Sequence, residues 1–232
     1  MVTRKLILWD IDGTILLTHK TGRFTIQQTL EDLFDRTIDI SSISFSGKTD
    51  PQIFREIFNQ NDLAKDNHKE IYATALERYM ALMRVNLAKR GVSVLPGVAS
   101  LISYMADDDS YELSLLTGNV RPMAFLKLEL AGLDQHFSYG AFGSDHEDRD
   151  ELPAFALDRA HALTGHQFTG KNTIIIGDTP RDILCSKVIG AHAIAVCTGK
   201  YSREELADFQ PTLLFDDLSD PKEVLDAIST LS

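Results

Sequence analysis

Two aspartates leave the end of one apolar run toward the same side: Asp10 and Asp12 bracket Ile11 in WDIDGT, and Gly13 permits a tight turn directly after them. Carboxylates this close repel each other and add little to a fold. They suit a divalent cation, or a nucleophile beside an acid–base group. An Asp-Gly turn that merely ends a strand is the plainer alternative. Three further polar clusters follow along the chain. Thr117-Gly118-Asn119 places a hydroxyl and two amides just before a helical stretch, where free N–H groups can hold an anion; an ordinary N-cap at Asn119 is the stronger reading of that cluster alone. Arg149 stands among acids in Asp148-Arg149-Asp150-Glu151, which by itself reads as a solvated loop. Asp178 directly follows an apolar run and caps nothing obvious, whereas Asp182, three residues after Thr179, fits a capping box.

Together the clusters carry more than any one of them. Four carboxylates, a hydroxyl, a cation and free amides would repel a phosphate ester unless a bound Mg²⁺ and Arg149 reversed the local sign. Mg²⁺ prefers carboxylate oxygens and retained waters. Such a setting suits phosphoryl transfer, where catalysis is mostly positioning and charge stabilisation.

The elements that must position these groups alternate. Short apolar runs without polar alternation occupy 5–9 (KLILW), 113–116 (LSLL), 173–176 (TIII) and 193–196 (AIAV), with weaker strand candidates at 139–142 and 213–215. Helical patterns cover 121–131, 153–163, 180–189 and 222–230, with Gly132 and Gly190 at C′ positions. Thr179-Pro180 reads as an N-cap followed by proline, and Asp50-Pro51 has the same form. The fold class is therefore α/β, a doubly wound parallel sheet, with the four clusters at strand ends. About a hundred residues separate the first strand from Leu113, too many for an ordinary crossover. From Gly22 to Arg90 the pattern reads helical throughout; Tyr72, Leu76, Tyr79, Met80, Met83 and Leu87 follow one face as packing residues. An inserted helical subdomain over 17–92 is expected, with Leu95-Pro96-Gly97 turning back to a core made of 1–16 and 93–232.

A net charge of −11 over 232 residues argues against a nucleic-acid footprint. Cys185 and Cys197 have no metal spacing and read as buried reduced thiols. The apolar stretch near the N-terminus is too short for a signal sequence, and no segment is long enough to span a membrane. A cytoplasmic enzyme is expected; the oligomeric state is left open.

WDIDGT, LLTGN, DRDELP and IIIGDTPRD, in that order, resemble the four motifs of the haloacid dehalogenase superfamily over residues 5 to about 199. The early helical insert is similar to the cap of the phosphoglycolate phosphatase and beta-phosphoglucomutase branch. The resemblance implies a Mg²⁺-dependent phosphatase acting on a small phosphorylated metabolite. Asp10 would be the nucleophile, forming an aspartyl phosphate, and Asp12 the acid–base, its carbonyl also touching the metal. Thr117, Gly118 and Asn119 would hold the phosphate. Asp178 would complete the metal shell, with Asp182 in or behind it. Arg149 would take the place of that family's usual lysine and balance phosphoryl charge; failing Arg149, the basic group would fall to Lys127 or Lys171. Lys48, in a loop expected to face the site, either reads substrate or is a surface lysine. A sugar-phosphate mutase, a dehalogenase (expected to lack the second acid, Asp12) and a non-catalytic binding protein are the alternatives.

Overall fold

The apolar runs lie side by side in one parallel sheet. The structure, a computed structural model, describes residues 4–63 and 68–231. The expected core residues 1–3 and 232, and 64–67 of the expected helical insert, lie outside the described residues. In chain order the elements are β1 (Lys5–Trp9), β2 (Leu16–Leu17), α1 (Thr21–Phe34), α2 (Asp50–Gln60), α3 (His68–Arg90), β3 (Ser93–Val94), α4 (Val98–Ala106) and β4 (Tyr111–Thr117). After these come α5 (Arg121–Ala131), β5 (Gly140–Phe142), α6 (Leu152–Thr164), β6 (Thr173–Gly177), α7 (Pro180–Ile189), β7 (His192–Val196), α8 (Arg203–Ala207), β8 (Leu213–Phe215) and α9 (Pro221–Ser229).

The sheet order is β5-β4-β1-β6-β7-β8, parallel throughout. Alternation along each strand feeds two cores. Ile7, Trp9, Leu115, Ile174 and Ile176 pack on one face with Val98 and Ile102 of α4, Leu128 of α5 and Ile228 of α9. Leu6, Leu8, Leu116 and Ile175 pack on the other with Leu152 and Ala156 of α6 and Cys185 of α7. Both faces are covered, which is why the strands carry no polar alternation. The expected doubly wound α/β fold is the observed one. The chain leaves β1 in opposite directions, to β4 on one side and β6 on the other, so β1 is the switch point at which such sheets bind ligands.

β2 and β3 pair antiparallel, Leu16 with Val94 and Leu17 with Ser93, and the described residues between them are helical or loop. The three helices α1 to α3 bury their own cluster. Phe54 sits at its centre, edge-on to Phe58, Tyr72 and Tyr79 with ring centroids 5.7 to 6.0 Å away. Val120, Met123 and Leu126 close that cluster from the other side. The expectation of helix throughout 22–90 fails over 35–49, which is loop. There Ile38, Ile40 and Ile43 are buried without helical periodicity. The Arg23 guanidinium donates to the carbonyls of Ile40 and Ile43, giving that loop partners a helix would otherwise supply.

Two local expectations are corrected. The N-cap of α2 is Thr49, which accepts from Gln52 N, with Asp50 and Pro51 as its first two helical residues. The cap of α5 is Val120 with no side-chain bond, so Asn119 is not an N-cap. Thr179 caps α7 in a reciprocal box with Asp182, as expected. Cys185 is buried and Cys197 half-buried; neither is in a disulfide. No helix among the described residues is long and apolar enough to cross a membrane.

Candidate active site

Three neighbouring strands deliver the site. Asp10 follows β1, Thr117 ends β4 and Asp178 follows β6. Because β4 and β6 flank β1, the carboxyl ends of all three converge. Asp10 N donates to Ile176 O at 3.0 Å, which ties Asp10 to β6. Gly13, at φ 94°, turns the chain back beneath Asp178; a Cβ there would lie 2.5 Å from the Asp178 carboxylate. Gly199 approaches from the other side, where a Cβ would come within 1.6 Å. Asp178 is thus held between two backbones that only glycine allows, with Thr14 Oγ1 donating to it at 3.3 Å.

Arg149 lies in a short 3₁₀ turn before α6 and reaches back under the sheet. Its Nη2 donates to Asp10 Oδ1 at 2.9 Å and to Asp182 Oδ1. Asp182 accepts from Thr179 N and Oγ1 at 3.0 and 2.7 Å, so it both caps α7 and joins the cluster. Oxygens of Asp10, Asp178 and Asp182 all lie within 4.8 Å of one another, and all three residues are buried. Burial pushes Asp10 up to about 7; Arg149 opposes this, while Asp182 and Asp12 add to it. Asp178 is raised well above its ordinary value by burial first, then by Asp10 and Asp182. Burial pulls Arg149 down, but Asp182 and Asp10 outweigh it and keep the guanidinium charged.

With all three ionised, the buried carboxylates against one guanidinium leave an excess of two negative charges; burial first, and then this excess, raises Asp10 and Asp178 when no cation is bound. A divalent cation with a preference for hard oxygen donors would match that excess, so the residues present fit Mg²⁺.

Above this cluster lies a cavity of about 160 Å³, floored by Asp10, Asp12, Thr117, Gly118, Asn119 and Arg149. The roof comes from the helical insert: Ile26 of α1, Phe45 and Lys48 of the loop, Ile53 of α2 and Tyr79 of α3. The structure therefore brings Lys48 to the site, where its Nζ pairs with Glu56 Oε2 at 2.5 Å. Thr117 is fully buried and its Oγ1 accepts from Asn119 Nδ2 at 2.8 Å.

Sequence reasoning left two contributors outside its site. Lys127, only a fallback for Arg149, sits on the buried face of α5 with its Nζ 2.6 Å from Asp12 Oδ2 and 2.5 Å from Asn119 Oδ1. Asn119 Nδ2 donates to the same Asp12 oxygen at 2.7 Å. The readable signal was a charge at a core position: Met123, Ala124 and Leu128 share its buried face. Asp50 is buried at the seam, donating through its N–H to Gly118 O at 2.8 Å and accepting from Val120 N at 2.9 Å. Lys171, the other fallback, is exposed in the turn before β6, at the far end of that strand.

Comparison with known proteins agrees with this fold. The model of haloacid dehalogenase-like hydrolases matches residues 7–196, and the chain belongs to that family. A curated relative is the probable phosphatase IndB of Dickeya dadantii, 26 % identical, covering 99 % of this chain and 96 % of that protein. A phosphoglycolate phosphatase of Aliivibrio fischeri is 25 % identical over 92 % of each chain. Pyrophosphatase PpaX of Listeria monocytogenes is 26 % identical, covering 92 % of this chain and 93 % of that protein. Among solved structures, a predicted phosphoglycolate phosphatase from Haemophilus somnus 129pt superposes with a TM-score of 0.75 at 18 % identity, covering 97 % of this chain and 99 % of that one.

Proposed function

We propose that this hydrolase is a Mg²⁺-dependent phosphatase of small phosphorylated metabolites, akin to the phosphoglycolate phosphatase branch, working through an aspartyl phosphate on Asp10. The observation that carries it is the buried cluster of Asp10, Arg149, Asp182 and Asp178 beneath a small cavity that Asp12 and Thr117 also line. Asp10, Asp178 and Asp182, with the Asp12 carbonyl, would hold the metal, which would supply the positive charge a dianionic ester requires.

The remaining work falls to the chain's own residues. An Asp10 oxygen attacks phosphorus and the ester P–O bond breaks. Asp12 gives its proton to the departing oxygen, then takes one from the water that attacks the same phosphorus and releases Asp10. Lys127 and Asn119 fix the Asp12 carboxylate so that it faces the leaving oxygen. Arg149 and Thr117, with the Gly118 and Asn119 amides, hold the phosphoryl oxygens. Residues 17–92 act as a cap over a core of 1–16 and 93–232, excluding bulk water while Asp10 is phosphorylated.

Phosphate release from an aryl phosphate, with and without EDTA, tests the reading. Release should stop on chelation and return with added Mg²⁺; full turnover in metal-free buffer would refute it.

A further inference from the structure

The cavity's cations are already paired before any leaving group enters. Three cations line it, Lys48, Lys127 and Arg149. Each is engaged: Lys48 with Glu56 at 2.5 Å, Lys127 with Asp12 at 2.6 Å, and Arg149 with both Asp10 and Asp182. Arg149 and the metal serve the transferring phosphoryl group in the reading above, and Lys127 serves Asp12. On the roof this leaves Lys48, whose charge Glu56 cancels, and the buried Asp50 carboxyl. The rest of the roof is uncharged: Ile26, Phe45, Ile53 and Tyr79, with Ser46 and the glycines Gly22 and Gly47 between them. Arg23, the next cation along α1, stacks on the Phe45 ring with its guanidinium 4.8 Å from the centroid and donates to loop carbonyls.

A leaving group with its own carboxylate or phosphate would enter this chamber without a free cation among the described lining residues. It would also lose water against the Ile26, Phe45 and Ile53 side chains, with no charge there to replace it. A volume of about 160 Å³ adds a size limit, well below the roughly 300–1,000 Å³ of sites for drug-sized ligands. We infer that the substrate is the phosphomonoester of a small, uncharged, partly apolar alcohol, and that the Glu56–Lys48 pair excludes esters carrying a second anion. This rests on the phosphatase reading and narrows it. It separates this chain from the activities in the names of its relatives, since both phosphoglycolate and pyrophosphate bear a second anionic group.

The test compares kcat/KM for n-propyl phosphate, 2-phosphoglycolate and pyrophosphate in the wild-type protein with Mg²⁺, and repeats it for Glu56→Gln. Wild type should favour propyl phosphate over 2-phosphoglycolate by at least about tenfold. Glu56→Gln frees Lys48 and should shrink that ratio by a similar factor. A wild-type preference for 2-phosphoglycolate or pyrophosphate would overturn the inference and leave the phosphatase reading standing. That wild-type ratio decides the matter even if the variant folds poorly. A folded variant with an unchanged ratio would overturn the role of Glu56–Lys48. Turnover of none of these esters, nor of an aryl phosphate, would instead sink the phosphatase reading itself.

Discussion

Lys127 Nζ lies 2.6 Å from Asp12 Oδ2, inside a helix face that is otherwise apolar. The lysine is 4 % exposed, whereas the Asp12 side chain is 40 % exposed and opens into the cavity. The cation is thus the fixed partner, and the Asp12 carboxylate is aimed by it. Asn119 completes the grip by donating to the same Asp12 oxygen at 2.7 Å while accepting from Lys127.

Lys127→Met keeps the length and loses the charge. Without its anchor, Asp12 samples other rotamers, and kcat should fall by roughly a hundredfold, the scale of one well-placed proton-transfer group. KM should move little, because Lys127 serves Asp12 and not the phosphoryl group. Steady-state kinetics on an aryl phosphate check this; a variant with normal kcat would remove Lys127 from the account.

Arg149→Ala should cost about 3 kcal/mol of transition-state stabilisation, roughly a hundredfold in rate. It also strips the partner from two buried carboxylates, so thermal stability without metal should drop, as breaking a buried ion pair commonly costs about 3–5 kcal/mol. Arg149→Lys should retain part of both, supplying charge without the fork. Melting curves with and without Mg²⁺, read beside kcat, check the pairing with Asp10 and Asp182; wild-type values for the alanine variant in both would contradict it.

Asp50 gives a pH signature to the seam between α2 and the loop after β4. Burial pushes its carboxyl from the ordinary 3.8 up to about 6, with Lys127 opposing. A raised value means the folded state favours the neutral form. Its contribution is therefore full below about pH 4 and is lost as the pH rises to about 6. Two units amount to about 3 kcal/mol. The stability of wild type relative to Asp50→Asn should fall by up to that amount between pH 4 and 6, measured by urea unfolding. A difference that does not change with pH would contradict the buried placement of Asp50.

Gly118 marks how closely the insert sits on the core. A Cβ there would come within 2.1 Å of Lys48 O. Gly118→Ala should push the loop away, break the bond from Asp50 N, and speed hydrogen exchange at the amides of residues 48–53. Unchanged exchange would mean that this contact does not hold the insert in place.

The strands were legible because burial on both faces leaves runs such as KLILW and TIII without polar alternation. The helix ends around Gly132, Thr179 and Gly190 were legible because their capping chemistry is local. Asp50 and Lys127 were not, because their meaning is set across the fold. Asp50 looked like a cap residue until Val120 and Gly118, about 70 positions away, became its partners. Lys127 meets Asp12 only once α5 packs beside β1, 115 positions away in sequence. The loop over 35–49 misled for a related reason, since it is the distant Arg23 that caps its carbonyls.

The central claim is that Asp10 carries the phosphoryl group. A ³²P-labelled phosphomonoester should be mixed with the Mg²⁺-loaded protein, quenched in acid on the timescale of one turnover, and the label mapped by proteolysis. The account predicts acid-stable, base-labile label on the peptide containing residues 5–12, absent in Asp10→Asn while circular dichroism stays that of wild type. Turnover without label on that peptide, or label that survives in Asp10→Asn, would contradict it.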